Sequence, residues 1–141
     1  MGMPKTPALT TDCVVRDSEA RVLLIRRKNE PFKGAYALPG GFVDIAETVE
    51  AACRREVLDE TGIAVGELQL VGVYSDPSRD PRGHTVSIAY TTLLPRAPSP
   101  QAWSDAQEAE WIVDWRALEL AFDHAQILDD AEKMVRIHSQ D

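Results

Sequence analysis

The sequence predicts a mixed α/β (α+β) domain in which one mixed β-sheet lies between helices. Short β-branched and aliphatic runs recur at strand length along the chain. A capped stretch near residue 50 reads as one central helix, and an amphipathic stretch near the end reads as a closing helix. Strands accompanied by one central and one terminal helix suit a sheet covered on both faces.

Taken in order, residues 1–8 read as a flexible tail. "MGMPKT" meets the loose pattern for N-myristoylation only through one glycine and one threonine, which is too little to assign a lipid. "TTDCVVRD" and "RVLLIRR" are two strands joined by the polar turn "DSEA", a hairpin. "AYALPGGFVD" is extended and broken by Pro39, Gly40 and Gly41, where backbone can approach a ligand closely. A helix begins at Thr48 and stops at Gly62, a residue suited to the left-handed terminator. "LQLVGVYSD" and "HTVSIAYTTLL" are further strands around the polar loop "SDPSRDPRG". A Pro- and Ser-containing connection holding Trp103 leads to the short strand "EAEWIV" and then to "FDHAQILDDAEKMVRIH". The closing helix is expected to bury a stripe near Phe122, Ala125, Leu128, Ala131 and Val135. Trp111 and Trp115 are expected in the core, and Trp103 over a pocket or a partner subunit.

Bulk properties limit the function. A chain of 141 residues with 44% hydrophobic content supports one domain, here taken as residues 1–141. Fifteen Lys and Arg against 23 Asp and Glu leave a net charge of -8, which argues against nucleic acid or an anionic membrane as partner. Cys13 and Cys53 lack ligand-like spacing and read as small buried residues of a reducing compartment. No membrane-length apolar run or secretory leader is present, so a cytoplasmic setting is expected.

"RREVLDETG" carries the chemistry. At about 100° per residue, Val49, Cys53 and Val57 form the apolar stripe that holds the helix on the sheet. Glu56, Asp59 and Glu60 fall on an adjacent arc, where like charges repel unless a cation joins them. Carboxylate and carbonyl oxygens suit Mg²⁺ or Mn²⁺ better than zinc, and Mg²⁺ shares its coordination with waters and substrate phosphates. A bound metal would also bring an anionic substrate to an acidic protein.

The surrounding spacing is Gly41, five residues, Glu47, seven residues, Arg55-Glu56-Val57, one residue, Asp59-Glu60, one residue, Gly62-Ile63. This resembles the Nudix hydrolase signature, a loop-helix-loop in which Asp59 stands where the family usually has Glu. The resemblance implies a Nudix-type α/β/α sandwich that hydrolyses a nucleoside diphosphate linked to another moiety. It implies metal binding by Glu56 and Glu60, with Asp59 a third ligand reaching its ion through water and Gly41 offering its carbonyl. Glu47 and Arg55 would support the motif through a salt bridge, and Gly62 closes it. Glu108 in "EAEW" matches a place where relatives carry an acid near the metals, and it is the candidate general base. Asp105 and Glu110 are weaker candidates, Glu110 being expected on the opposite face from Glu108.

"YSDPSRDPRGHTVSIAY" adds Arg79, Arg82 and His84, which could meet phosphate or ribose. The alternative is that Asp76 and Asp80 pair with the arginines and pin the loop. This stretch, "PFKGAYALPGGFVD" and "LAFDHAQILDDA" resemble the ADP-ribose pyrophosphatases of the family, so a small-molecule nucleotide substrate, hydrolysed to AMP and ribose 5-phosphate, is implied. Phe32, Tyr36 and Tyr74 could stack on adenine. His124 reads as structural. Rivals are another Nudix substrate, such as an oxidised nucleoside triphosphate or dinucleotide polyphosphate, and a non-catalytic ADP-ribose sensor. No basic winged-helix segment remains after the signature, which weighs against the sensor. A homodimer follows by analogy with relatives.

Overall fold

The computed structural model describes residues 2–100 and 106–139. Among these residues seven strands form one mixed sheet: β1 (Ala8–Asp17), β2 (Val22–Arg27), β3 (Tyr36–Ala37), β4 (Gly40–Phe42), β5 (Gln69–Tyr74), β6 (Thr85–Leu94) and β7 (Ala106–Ile112). Two helices accompany it, α1 (Val49–Thr61) and α2 (His124–Ser139). Trp103 and Asp105 lie outside the described residues.

Strand alternation sorts the sheet's residues between the helices. Val14, Val22, Leu24 and Ala89 pack with Ile127, Leu128 and Ala131 of α2. Their neighbours Cys13, Val15, Leu23 and Tyr90 pack with Cys53 and Val57 of α1. The sheet is therefore sandwiched, as the sequence implied. Each fully buried Val, Leu or Ile contributes on the order of 1.5–3 kcal/mol, so both helices are held mainly by these faces. Trp115 is buried in the α2 layer, and Trp111 is partly buried in the α1 layer. Both cysteines are buried and unlinked.

On α2 the buried line is His124, Ile127, Leu128 and Ala131, with i, i+3, i+4, i+7 spacing. The expected stripe was rotated: Ala125 and Val135 are exposed, while His124 and Ile127 are buried. Phe122 stands before the helix with φ 62° for its contact Phe32 and 52° for itself, both in the left-handed region. The apolar letters of "AQILDDAEKMV" fit two neighbouring stripes, and the sheet selects one.

The topology positions the site. β1 pairs with β6 in parallel along its whole length, and β2 pairs with β7 along its whole length. β1 and β2 meet only at Arg16 and Val22. Beyond that pair, β4 takes the free edge of β1 at Thr10–Asp12, and β3 takes that of β2 at Ile25 and Arg26. The two strands thus splay, and Leu38-Pro39-Gly40-Gly41 is wedged between them, with Cys13 N–H donating to the Pro39 carbonyl at 2.9 Å. α1 follows directly. Thr48 caps it by accepting from Ala51 N–H at 3.1 Å, and Gly62 ends it at φ 73°.

Among the described residues no helix is long and apolar enough to cross a membrane.

Candidate active site

Arg55 organises the start of the site. Its guanidinium grips Glu47 with two bonds of 2.8 and 3.0 Å, donates to Glu56 Oε1 at 2.6 Å, and reaches the Phe42 carbonyl at 3.1 Å. Asp59 lies 3.8 Å away and is half exposed. The Arg55 fork, with the Asp44 N–H, holds the Glu47 carboxyl down at about 2. A depressed carboxylate contributes stability that is full above its unfolded value of 4.5 and is lost as pH falls towards 2. Glu47→Gln is therefore expected to melt below wild type at pH 7, with the gap closing between pH 4.5 and 2; thermal melts across that range check it.

Glu56 and Glu60 differ in their surroundings. Burial raises the Glu56 carboxyl, and Arg55 opposes that rise. Glu60 is 7% exposed, and its Oε1 accepts from Gly40 N–H at 2.8 Å. Burial pushes its carboxyl up to about 9, helped by the charges of Glu56 and Asp12. A carboxyl so placed is neutral at pH 7 in the protein alone and would ionise beside a cation.

The two glycines fit the same construction. A Cβ on Gly40 would sit 2.1 Å from the Thr11 carbonyl oxygen, and one on Gly41 would sit 2.8 Å from the Glu56 carboxylate. Gly40 is thus pressed against the β1 backbone and Gly41 against the Glu56 carboxylate, and a side chain at either position would displace its neighbour. Among the described residues no three His, Cys, Asp or Glu side chains enclose an ion by themselves. Glu56, Glu60 and the close backbone at Gly41 would instead suit an oxygen-bound hard cation that takes its remaining ligands from outside the protein.

A cleft of about 350 Å³ opens at these carboxylates, and Arg27, Glu30 and Arg82 also line it. A narrower cavity of about 70 Å³ adjoins it and reaches Asp12, Arg79, Phe122 and His124. A larger one of about 910 Å³ opens beside β6 and the end of α2. Its charged lining is Arg16 and Glu67, with no paired carboxylates, so the smaller cleft is the one equipped for chemistry.

The polar loop between β5 and β6 supplies one wall. Arg79, its side chain nearly buried, forks onto the partly exposed Asp123 at 2.6 and 2.9 Å and donates to Thr85 at 2.8 Å, which fixes the loop against the start of α2. Arg82 pairs with Asp80 at 2.9 Å and lies over the rings of Phe42 and Phe122. Asp80 thus pins Arg82 as the sequence allowed, whereas Asp76 bonds Ser78 rather than an arginine. His84 is exposed and bonds the Ser75 carbonyl at 2.9 Å. Phe32 meets Phe122 edge-on at 4.9 Å, and Arg27 covers the same Phe122 ring at 5.0 Å.

Other expected residues lie elsewhere. Tyr36 donates to Glu110 at 2.9 Å, and Tyr74 donates to Asp130 at 2.6 Å. Glu108 pairs with Arg26 and Glu110 with Leu24, both on the α2 face of β2. Glu110 therefore shares a face with Glu108, contrary to expectation, because residues two apart on a strand point the same way. Neither lines the cleft over Glu56 and Glu60.

Asp12, Arg27, Phe122 and Asp123 are the site neighbours that sequence reasoning missed. Asp12 left one signal, a lone acid inside the apolar run "TTDCVV".

This geometry defines a carboxylate-rich cleft on a loop-helix-loop, and the NUDIX domain pattern matches residues 6–134. The chain belongs to the NUDIX family. It is 47% identical over 124 residues to an ADP-ribose pyrophosphatase of Methanocaldococcus jannaschii, covering 88% of this chain and 72% of that one. It is 35% identical over 133 residues to an ADPR responsive transcriptional repressor of Acinetobacter baylyi, spanning 89% of this chain and about half (53%) of the repressor. Among solved structures, the NUDIX domain of Shewanella oneidensis NrtR complexed with ADP ribose matches with TM-score 0.87 and 30% identity, covering 93% and 90% of the two chains. A bifunctional NMN adenylyltransferase/ADP ribose pyrophosphatase of Francisella tularensis, complexed with AMP and manganese, matches with TM-score 0.83 and 27% identity over 94% of this chain and 43% of that one.

Proposed function

We propose that this chain is a metal-dependent pyrophosphohydrolase that cleaves ADP-ribose to AMP and ribose 5-phosphate. The observation that carries the reading is the pair Glu56 and Glu60, one partly and one deeply buried, in the lining of a cleft that also holds Arg27 and Arg82. Carboxylates and guanidinium groups lining one cleft suit a metal-bound diphosphate. The pyrophosphatase relative supports the substrate.

In this reading Glu56, Glu60 and the Gly41 carbonyl hold Mg²⁺ or Mn²⁺, and Asp59, at the rim, reaches it through water. The ion would neutralise the diphosphate and lower the pKa of the attacking water. Arg55 and Glu47 fix the direction of the Glu56 carboxylate. Arg82 and Phe32 border the substrate, Arg79 shapes the pocket floor, and His84 steadies the loop. Gly62 ends α1 so that Glu60 falls on the last turn under Gly40. Glu108, on the α2 face, would take part as base only by reaching around the sheet edge, so a cleft-lining acid such as Glu30 is the better placed proton acceptor. We further read residues 1–141 as one domain, working in the cytoplasm with its thiols reduced, and as a homodimer by analogy.

The repressor relative favours a second reading, an ADP-ribose sensor without turnover. A panel of ADP-ribose, other nucleotide sugars, dinucleotides and oxidised nucleoside triphosphates, assayed with Mg²⁺ and with EDTA, separates the readings. Metal-dependent turnover led by ADP-ribose is expected. A different leading substrate would keep the site and discard the substrate; binding without turnover of any compound would make the sensor the better account.

A further inference from the structure

The Leu38–Gly41 turn must be placed accurately, because Gly40 donates to Glu60 and Gly41 abuts Glu56. α1 positions the carboxylates, but another element has to position the turn. β3 ends at Ala37 and β4 starts at Gly40, so the buried Leu38 N–H falls in the break between strands. An unpaired buried N–H is costly, and its partner here is a side chain. His124 Nδ1 accepts from Leu38 N–H at 3.0 Å.

That bond fixes the rest of the ring. A nitrogen that accepts carries no proton, so Nε2 is the protonated nitrogen and donates to Asp12 Oδ1, 3.3 Å away. Asp12 also accepts from Ser87 at 2.5 Å, and Arg79 approaches it at 3.9 Å while gripping Asp123, the residue before His124. His124 itself is 3% exposed at the first turn of α2. β1, β6, the Arg79 loop and α2 thus converge on one imidazole whose remaining atom holds the turn.

We infer that His124 is a positioning residue for the metal-binding turn, acting through the Leu38 backbone and touching neither substrate nor metal. The inference rests on the proposed reading of the site. It separates the ring's two contacts: the Leu38 bond serves the site, and the Asp12 bond serves stability.

Three substitutions in the full chain test it. His124→Asn places an amide oxygen near the Nδ1 position and can keep the Leu38 bond while losing Asp12. His124→Gln extends to Asp12 instead, and His124→Leu keeps bulk with neither bond. Exchange of the Gly40 amide, referenced to the core amide of Leu24 in the same metal-free sample, reports the turn directly. It is expected to rise about tenfold in the Gln and Leu variants and to stay within about threefold of wild type in Asn. Mn²⁺ affinity and kcat should fall on the order of tenfold in Gln and Leu with KM for ADP-ribose little changed, and recover in Asn. Gly40 exchange that follows each variant's melting temperature, or that is equal in Asn and Gln, would overturn the inference. A wild-type protein that turns over no nucleotide would sink the proposed function instead, leaving the amide exchange to decide this point.

Discussion

Glu60→Gln is expected to lower metal-dependent turnover of ADP-ribose by about 10²–10³-fold, because an amide cannot give a hard cation the charge that is worth several kcal/mol there. The fold should survive. Gln keeps an oxygen for Gly40 N–H, and at pH 7 the wild-type group is itself neutral, its carboxyl lying at about 9. Stability against pH gives an independent reading. Unfolded, Glu60 ionises near 4.5; folded, it keeps its proton until about 9. Between those values the folded state binds the extra proton, so wild type loses stability as pH rises, by up to about 1.4 kcal/mol per pH unit. The metal-free variant has no such slope. It should match wild type at pH 4.5 and exceed it increasingly towards pH 9, as urea unfolding in EDTA would show. Parallel stability curves for the two proteins would mean that Glu60 is not desolvated as described.

Gly40→Ala is expected to destabilise the protein by about 3–5 kcal/mol, whereas Gly41→Ala costs about 1 kcal/mol and strikes activity instead. The difference lies in what each new methyl meets. At Gly40 it would sit 2.1 Å from the Thr11 carbonyl oxygen, an atom of the β1 backbone that can move only with the sheet. At Gly41 it would meet the end of the Glu56 side chain at 2.8 Å, which can rotate away. Rotation relieves the clash but turns a proposed metal ligand out of place. Denaturant midpoints should therefore fall far more for Gly40→Ala, while kcat should fall in Gly41→Ala with its midpoint nearly kept. Equal losses of stability would show that the two glycines are not separated in this way.

Local rules made α1 legible. Thr48 and Gly62 mark its ends by capping chemistry, and Cys53 and Val57 mark its buried side by period, so Glu56 and Glu60 fall on one arc beside that stripe. What local rules do not encode is which distant elements meet. The partner of Arg79 is Asp123, 44 residues away, rather than either aspartate beside it in the loop. The register of β7 on β2 sets Glu108 beside Arg26 on the α2 face and away from the cleft. His124 looked like an ordinary packing histidine, because its bond to Leu38 spans 86 residues and joins a helix start to a break between strands. Phe122 looked like part of the α2 stripe and instead leaves the helix to line the pocket.

The most direct test of the central claim is to incubate the purified chain with ADP-ribose and Mg²⁺, and in parallel with EDTA, and to resolve the products by ion-exchange chromatography. AMP and ribose 5-phosphate are expected in equal amounts, formed only with the metal. ADP-ribose recovered intact from a protein shown by calorimetry to bind it would contradict the account.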